Sequence, residues 1–163
     1  NCVDMEWAAP LAGALEDSAF GVLMRESARL YPLANLLHLL GLVLLLGAML
    51  ILDLRLLGVA RALPLAPLYR WLSGLAAAGL LLQLGSGFAL FAADATPLLD
   101  SSLMRLKLAL VLAGIGNALL FRHRQAPRLA SGEPLSPPAR IQAALSLCIW
   151  LTVMAAGRLL AYR

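Results

Sequence analysis

Apolar residues run along this chain in four blocks, each ended by a short cluster of Arg, Pro, Asp or Gly. The blocks are 33–54, 71–93, 103–121 and 141–160. Each approaches or reaches the roughly 20 mostly apolar residues that a helix needs to cross a bilayer. Only Asn35, His38 and Asp53 interrupt the first, and Gln83 sits near the middle of the second. The third carries Arg105 and Lys107 in its first turns, where long side chains reach back to the surface. The fourth has Arg158 near its end. Ahead of the first block, residues 18–31 place Phe20, Leu23, Met24, Leu30 and Tyr31 at helical spacing, with Arg25, Glu26 and Arg29 between them. This pattern predicts a short amphipathic helix lying on the outer membrane surface, ended by Pro32. Residues 125–138 hold Pro127, Pro134, Pro137 and Pro138 and predict a turn-rich connector. The expected fold is all-α: a polytopic membrane protein with a four-transmembrane-helix bundle and an N-terminal interfacial helix, one membrane domain over 1–163.

Composition points the same way. The chain has 163 residues, of which 61% are hydrophobic and 13% charged, with a mean hydropathy of +0.84. A soluble domain is about 45–50% apolar and about 25% charged. So short a soluble fold has too much surface to hide this much apolar area, whereas lipid accommodates it. Residues 1–30 hold Asp4, Glu6, Glu16, Asp17 and Glu26 and lack the basic start of a secretory signal. The chain begins without Met, and Met5 is a candidate start that makes Asn1–Asp4 an upstream extension.

Charge sets the orientation. Arg55, Arg61 and Arg70 follow the first block, and Arg122, Arg124, Arg128 and Arg140 follow the third against a single acid, Glu133. Asp94, Asp100 and the N-terminal acids gather on the other side. The positive-inside rule then puts the arginine-rich loops in the cytoplasm and both termini outside, in a bacterial inner membrane. The net charge of +4 is a topology signal, without the interleaved aromatics of a nucleic-acid surface. Cys2 and Cys148 stand apart, in the N-terminal tail and in a hydrophobic run, and no CxxC or Cys/His cluster suggests zinc, an iron–sulfur centre or covalent haem.

Polar residues inside an apolar helix usually face a bundle interior. Asn35 and Asp53 are eighteen positions apart, about five turns, so they project alike, with His38 close to the same line. Ala76, Gly79, Gln83, Ser86 and Gly87 form a matching face on the second helix, Ala113 and Asn117 on the third, Gln142 and Ser146 on the fourth. Asn35, Asp53, Gln83 and Asn117 are the expected buried polar residues. His38 reads either as a functional imidazole near the outer surface, ligating haem iron or copper or carrying a proton, or as a hydrogen-bonded residue that packs helices together. His123 lies at the opposite end of a parallel helix, most of a bilayer away, so Met154 is the candidate second ligand for a haem b. Asp53 likewise reads either as a proton-carrying carboxylate or as an interfacial acid paired with an arginine or capped by Asn117.

Several of these residues carry a resemblance. Glu26-Ser27, Leu30-Tyr31-Pro32, His38-Leu39-Leu40-Gly41 and Asp53-Leu54-Arg55-Leu56-Leu57-Gly58, with Phe91-Ala92-Ala93-Asp94, Arg105-Leu106-Lys107 and Asn117 to Phe121, resemble a family of small bacterial four-helix membrane proteins of unknown function. The likeness spans Trp7 to His123. More distantly the chain is similar to the membrane domain of CopD-type copper-resistance proteins, which also carry a histidine and glycine early in a helix. Arg122 stands where the first family has a histidine after the phenylalanine, which weakens any role for His123. The resemblance implies a four-helix membrane protein and no defined activity.

The leading functional expectation is a non-catalytic accessory or anchor subunit, embedded in lipid and packed against other membrane subunits or a second copy. A haem- or copper-binding module using His38 is the alternative, and a small oligomeric transporter the third. No nucleophile–base pair, HExxH or phosphate loop suggests catalysis. Cysteine labelling from outside intact cells is expected to reach residue 94 and both termini, and to miss residues 61–70 and 124–140. Labelling of the 124–140 loop from outside would reverse the orientation.

Overall fold

The computed structural model describes residues 9–160 and 162. Cys2, Asp4, Glu6, Trp7 and the candidate start at Met5 lie outside the described residues. Among them the fold is all helical: α1 (Ala9–Glu16), α2 (Ala19–Glu26), α3 (Leu30–Leu57), α4 (Leu65–Ala93), α5 (Ala95–Asp100), α6 (Ser102–Ala130) and α7 (Ala139–Leu160). Four of these, α3, α4, α6 and α7, are long and apolar enough to cross a membrane. Leu36, Val43, Leu81, Leu112 and Leu119 on them are each more than half exposed, a surface that suits lipid rather than water.

Local chemistry moves several boundaries from the hydropathy pattern. The expected helix over 18–31 divides in two. Ser18 caps α2 through the Gly21 N–H at 3.1 Å, α2 stops at Glu26, and the Ser27 hydroxyl accepts the Leu30 N–H at 3.1 Å. Leu30 and Tyr31 therefore open α3, and Pro32 sits in its first turn, where a missing N–H costs nothing. α4 begins at Leu65, ahead of Trp71, because Pro64 and Pro67 suit a helix start and Arg70 interrupts only the hydropathy. α6 runs on to Ala130 through His123, Gln125 and Pro127, so the connector is only 131–138. Gln125 secures that turn: it is fully buried, its amide oxygen accepts the Ser136 N–H at 3.1 Å, and its amide nitrogen bonds the Ser136 hydroxyl. At the far end of α3, Gly58 takes a left-handed φ of 105° and Val59 N–H returns to the Leu54 carbonyl, the usual glycine-based stop.

Contacts are unevenly shared. α3 and α4 have the most extensive interface, α7 joins α3 on another side, and α6 packs mainly on α7. α4 and α6 scarcely meet. The helices thus follow the spatial order α4–α3–α7–α6, with the α4–α6 side loosely closed. Gly41 and Gly79 let α3 and α4 approach: a Cβ on Gly79 would lie 2.5 Å from the Leu45 backbone nitrogen, and one on Gly41 3.0 Å from the Gly79 carbonyl oxygen. Leu45 and Ala48 meet Ile149, Trp150 and Val153 of α7, while Leu52 and Leu56 meet Ala139, Ala143 and Phe121.

The short helices form a cap at one end. Met24 of α2 packs with Ala34 and Ala93, and Phe20 stacks on Phe88 with centroids 6.1 Å apart. The Glu16 carboxylate accepts the Thr96 N–H at 3.0 Å, so it caps α5. The Thr96 backbone N–H, then its side chain, hold the Glu16 carboxyl below the usual carboxylate range. Arg25 joins Glu16, at 3.4 Å, to the Ala93 carbonyl at 3.3 Å.

The glycine contact sets a stability expectation. Gly79→Val should cost about 3 kcal/mol or more, because backbone on both helices must move apart. Gly74→Ala and Gly85→Ala, whose added methyl groups meet nothing within 4 Å, should be neutral or gain about 0.5–1 kcal/mol from helix propensity. Thermal unfolding in detergent checks the contrast, and equal effects at the three positions would contradict the packing.

Candidate functional site

Two polar sites lie within the four long helices. The first joins α3 to α4. His38 Nδ1 lies 3.0 Å from the Ser86 Oγ, and the Ser86 hydroxyl itself donates to the Leu82 carbonyl at 2.6 Å. A hydroxyl has one hydrogen, so the His38 bond runs from Nδ1–H to Ser86, and Nε2 keeps its lone pair. Gln83 donates to the His38 carbonyl at 2.8 Å. Gly87 leaves room for the ring, since a Cβ there would sit 3.1 Å from His38 Cε1. Lys107 reaches in from α6 toward Gly157. The salt bridges among the described residues are Arg25–Glu16 and Arg128–Glu133, and neither involves Lys107.

The second site occupies the opposite half of the same helices. Asp53 is 2% exposed. Gln142, Ser146 and Trp150 follow one another at four-residue spacing on α7, which puts them on one face, and all three are buried. Together they border a cavity of about 190 Å³, whose wall is otherwise mostly apolar, with Leu45, Met49, Leu80, Ile115 and Phe121, but also includes Tyr69, Ser73, Asn117 and Arg122. Asp53 Oδ2, Gln142 Nε2 and Oε1, Ser146 Oγ and Trp150 Nε1 are buried there without a well-formed hydrogen bond among the described residues, and the Ser146 hydroxyl is the one group close enough to the Asp53 carboxyl to act on it. Native interiors hold few such atoms, and here five of them from four residues share one cavity.

The groups expected to satisfy Asp53 are engaged elsewhere. Arg55 donates to the Leu63 and Arg61 carbonyls at 2.8 and 3.1 Å, which ties down the turn after α3. Asn117 donates to the Gln142 backbone carbonyl at 3.0 Å, joining α6 to α7. The carboxyl therefore has neither the arginine nor the asparagine cap expected of an interfacial acid.

The other candidates sit as follows. Gln83 and Asn117 are half-buried between helices, as their bonds require. Asn35 is exposed, contrary to its expected burial. α7 packs antiparallel to α3, with Ala139 and Ala143 by Leu56, and Ile149 and Val153 by Leu45. That register puts Asn35 beyond the level of Leu160, the last described residue of α7, and no described helix buries it. Met154 stands off the buried stripe of α7, 37% exposed. His123 is exposed on α6, near the end of that helix, whereas His38 is near the start of α3. Among the described residues no three His, Cys, Asp or Glu side chains gather as a metal site would require. A shallower cleft of about 690 Å³ lies beside Arg55, Arg61 and Arg140 at the ends of the helices.

Trp150 and Gln125 carry polar atoms that the sequence pattern does not single out. Continuing the Gln142–Ser146 face by one turn reaches Trp150, which bulk and hydropathy mark as core. Gln125 is hidden by Pro127, which resembles a helix breaker.

The chain matches no family model, no curated protein and no solved structure. The chemistry of the two sites therefore carries the functional reading. For the histidine, nitrogen-15 spectra of labelled protein are expected to show the Nδ1–H tautomer, and Ser86→Ala to abolish that preference. A dominant Nε2–H form in the unaltered chain would contradict the hydrogen-bond direction.

Proposed function

We propose that this chain is a multi-pass protein of a bacterial inner membrane, with its arginine-rich ends in the cytoplasm and both termini outside. In that setting it is an accessory subunit that holds a polar pocket, centred on Asp53, within the bilayer. Four helices of sufficient length and hydropathy support the membrane setting. Arg55, Arg61, Arg70, Arg122, Arg124, Arg128 and Arg140 gather where α3 and α6 end and α4 and α7 begin, while Asp94, Asp100 and the Glu16–Arg25 cap occupy the other end, together with Arg29, Arg105, Lys107 and Arg158. Leu106, Leu108, Leu112 and Leu119 on α6 stay exposed, an apolar face suited to lipid or a neighbouring subunit.

The observation that carries the reading is the unpartnered polar set around the cavity. An unsatisfied buried group costs about 1–3 kcal/mol, and a half-satisfied network is worse than an apolar core. A pocket that only packed helices would be better made of leucines. Stability given up at a site is the usual mark of a functional requirement.

His38 supports a second reading, as a ligand of haem iron or copper. Ligating histidines commonly donate their other ring N–H to a fixed acceptor, and Ser86 holds His38 in that way. The bonds of His38 to Ser86 and Gln83 are also those of a residue that packs two helices together, so the Asp53 pocket is the stronger candidate.

Replacing the carboxyl separates a functional pocket from a structural one. Asp53→Asn and Asp53→Leu are expected to raise stability in detergent by about 1–3 kcal/mol, while the chain extracted from native membranes still migrates within a larger assembly. A loss of stability in both variants would make Asp53 a structural acid. Migration of the unaltered chain as a monomer would remove the accessory role.

A further inference from the structure

The cavity around Asp53 has a chemistry that narrows its occupant. Trp150 Nε1–H donates only, Gln142 offers a donor and an acceptor, the Ser146 hydroxyl does either, and Asp53 Oδ2 accepts when ionised. Arg122 stands on the same wall. Indole and amide N–H groups with a guanidinium beside them make a poor cation site, which requires converging oxygens. The carboxyl makes an equally poor anion site. The matching ligand is neutral and carries both hydroxyl or carbonyl acceptors and donors.

The remaining wall decides between water and an organic ring. A cavity of about 190 Å³ has room for about six waters at liquid density. Much of its lining is Leu45, Met49, Leu52, Leu80, Ile115 and Phe121, which gives water no partners but suits the faces of a flat ring. The opening is also informative. α4 and α6 scarcely meet, and two wall residues there, Ala77 on α4 and Leu119 on α6, are exposed. Ala77 and Ala118 lie near the middles of α4 and α6. The loose α4–α6 side thus offers a lateral way into the cavity, which also reaches Leu56, Tyr69 and Gln142 near the ends of the helices.

We infer that the pocket binds the head of a membrane-soluble quinone or quinol, which enters between α4 and α6 and places its ring oxygens against Trp150, Ser146, Gln142 and Asp53. This inference rests on the proposed membrane setting. Carbonyl oxygens of the oxidised ring accept from Trp150, Gln142 and Ser146. Hydroxyls of the reduced ring donate to Asp53 and to the Gln142 amide oxygen. The apolar tail lies along the exposed leucines outside the opening. Small residues at Ala77 and Ala118 keep that opening clear.

The test uses the full chain in phosphatidylethanolamine–phosphatidylglycerol nanodiscs, titrated with decylubiquinone. Quenching of Trp150 fluorescence is read in a Trp7→Phe/Trp71→Phe background, since the chain has three tryptophans and Trp71 is 77% exposed. The expected result is saturable quenching. Ala118→Phe, which blocks the opening and leaves the polar atoms in place, should weaken it at least about tenfold, equivalent to about 1.4 kcal/mol. Ala77→Phe on the other lip and Ser146→Ala within the pocket should each weaken it too, so a folding defect in one variant leaves two others. Leu36→Phe, on an exposed face near the other end of α3, should leave it unchanged. Quenching that rises without saturation and is the same in all variants is partition into lipid and overturns the inference, as does a pocket that retains only water. Release of the chain from cell membranes by an alkaline carbonate wash would instead overturn the membrane setting, whatever the nanodiscs show.

Discussion

The close approach of α3 and α4 at Gly41 and Gly79 governs the rest of the arrangement. A side chain at Gly79 would collide with the α3 backbone, and one at Gly41 would press on the α4 backbone at 3.0 Å. In lipid, helices gain little from burying leucine against leucine, and close backbone contact supplies much of the attraction. This contact holds α4 against α3 along most of its length. It brings Ser86 and Gln83 within reach of His38, and gives His38 its fixed ring and hydrogen-bonded carbonyl. It also holds α4 away from α6, so the bundle closes on three sides and stays loose on the fourth.

Trp150 has the complementary role. Its indole lies against Gly114 of α6, where a Cβ would come within 2.9 Å of the ring, and it packs with Leu45 and Ala48 of α3. The ring wedges α6 away from α3 and keeps a space between them. Asp53, Gln142 and Ser146 border that space with polar atoms that lack a well-formed hydrogen bond among the described residues. A tight glycine contact on one side and a bulky indole on the other thus produce a cavity without any strained backbone. The stability lost at the polar atoms is offset by the α3–α4 and α3–α7 contacts.

Much of this was legible in the sequence, for a physical reason. Crossing a bilayer imposes long apolar blocks, and those blocks lie within the four long helices. Their ends were less legible, because helix ends depend on caps and prolines. Ser27 and Pro32 shift Leu30 into α3, Pro64 and Pro67 start α4 early, and Gln125 carries α6 past a proline. The polar edge of α3 was readable by periodicity, which aligns Asn35 with Asp53. Periodicity gives a direction and no neighbour, and α7 is too short to cover Asn35. The unsatisfied state of Asp53 depends on where Arg55 and Asn117 find their partners, which only the fold decides. Trp150 was hidden because an indole reads as apolar bulk, while its single N–H matters only when it faces a cavity.

The central claim is that Asp53 borders an occupied polar pocket and, among the described residues, is paired with neither an arginine nor an amide, having only the Ser146 hydroxyl close by. A density map of the protein in lipid nanodiscs, detailed enough to show ordered non-protein atoms, tests it most directly. The account predicts non-protein density in the cavity, within hydrogen-bond distance of Asp53 Oδ2 and Trp150 Nε1, with Arg55 still bonded to the Leu63 carbonyl. A collapsed cavity with Asp53 paired to Arg55 or Arg122 would contradict it.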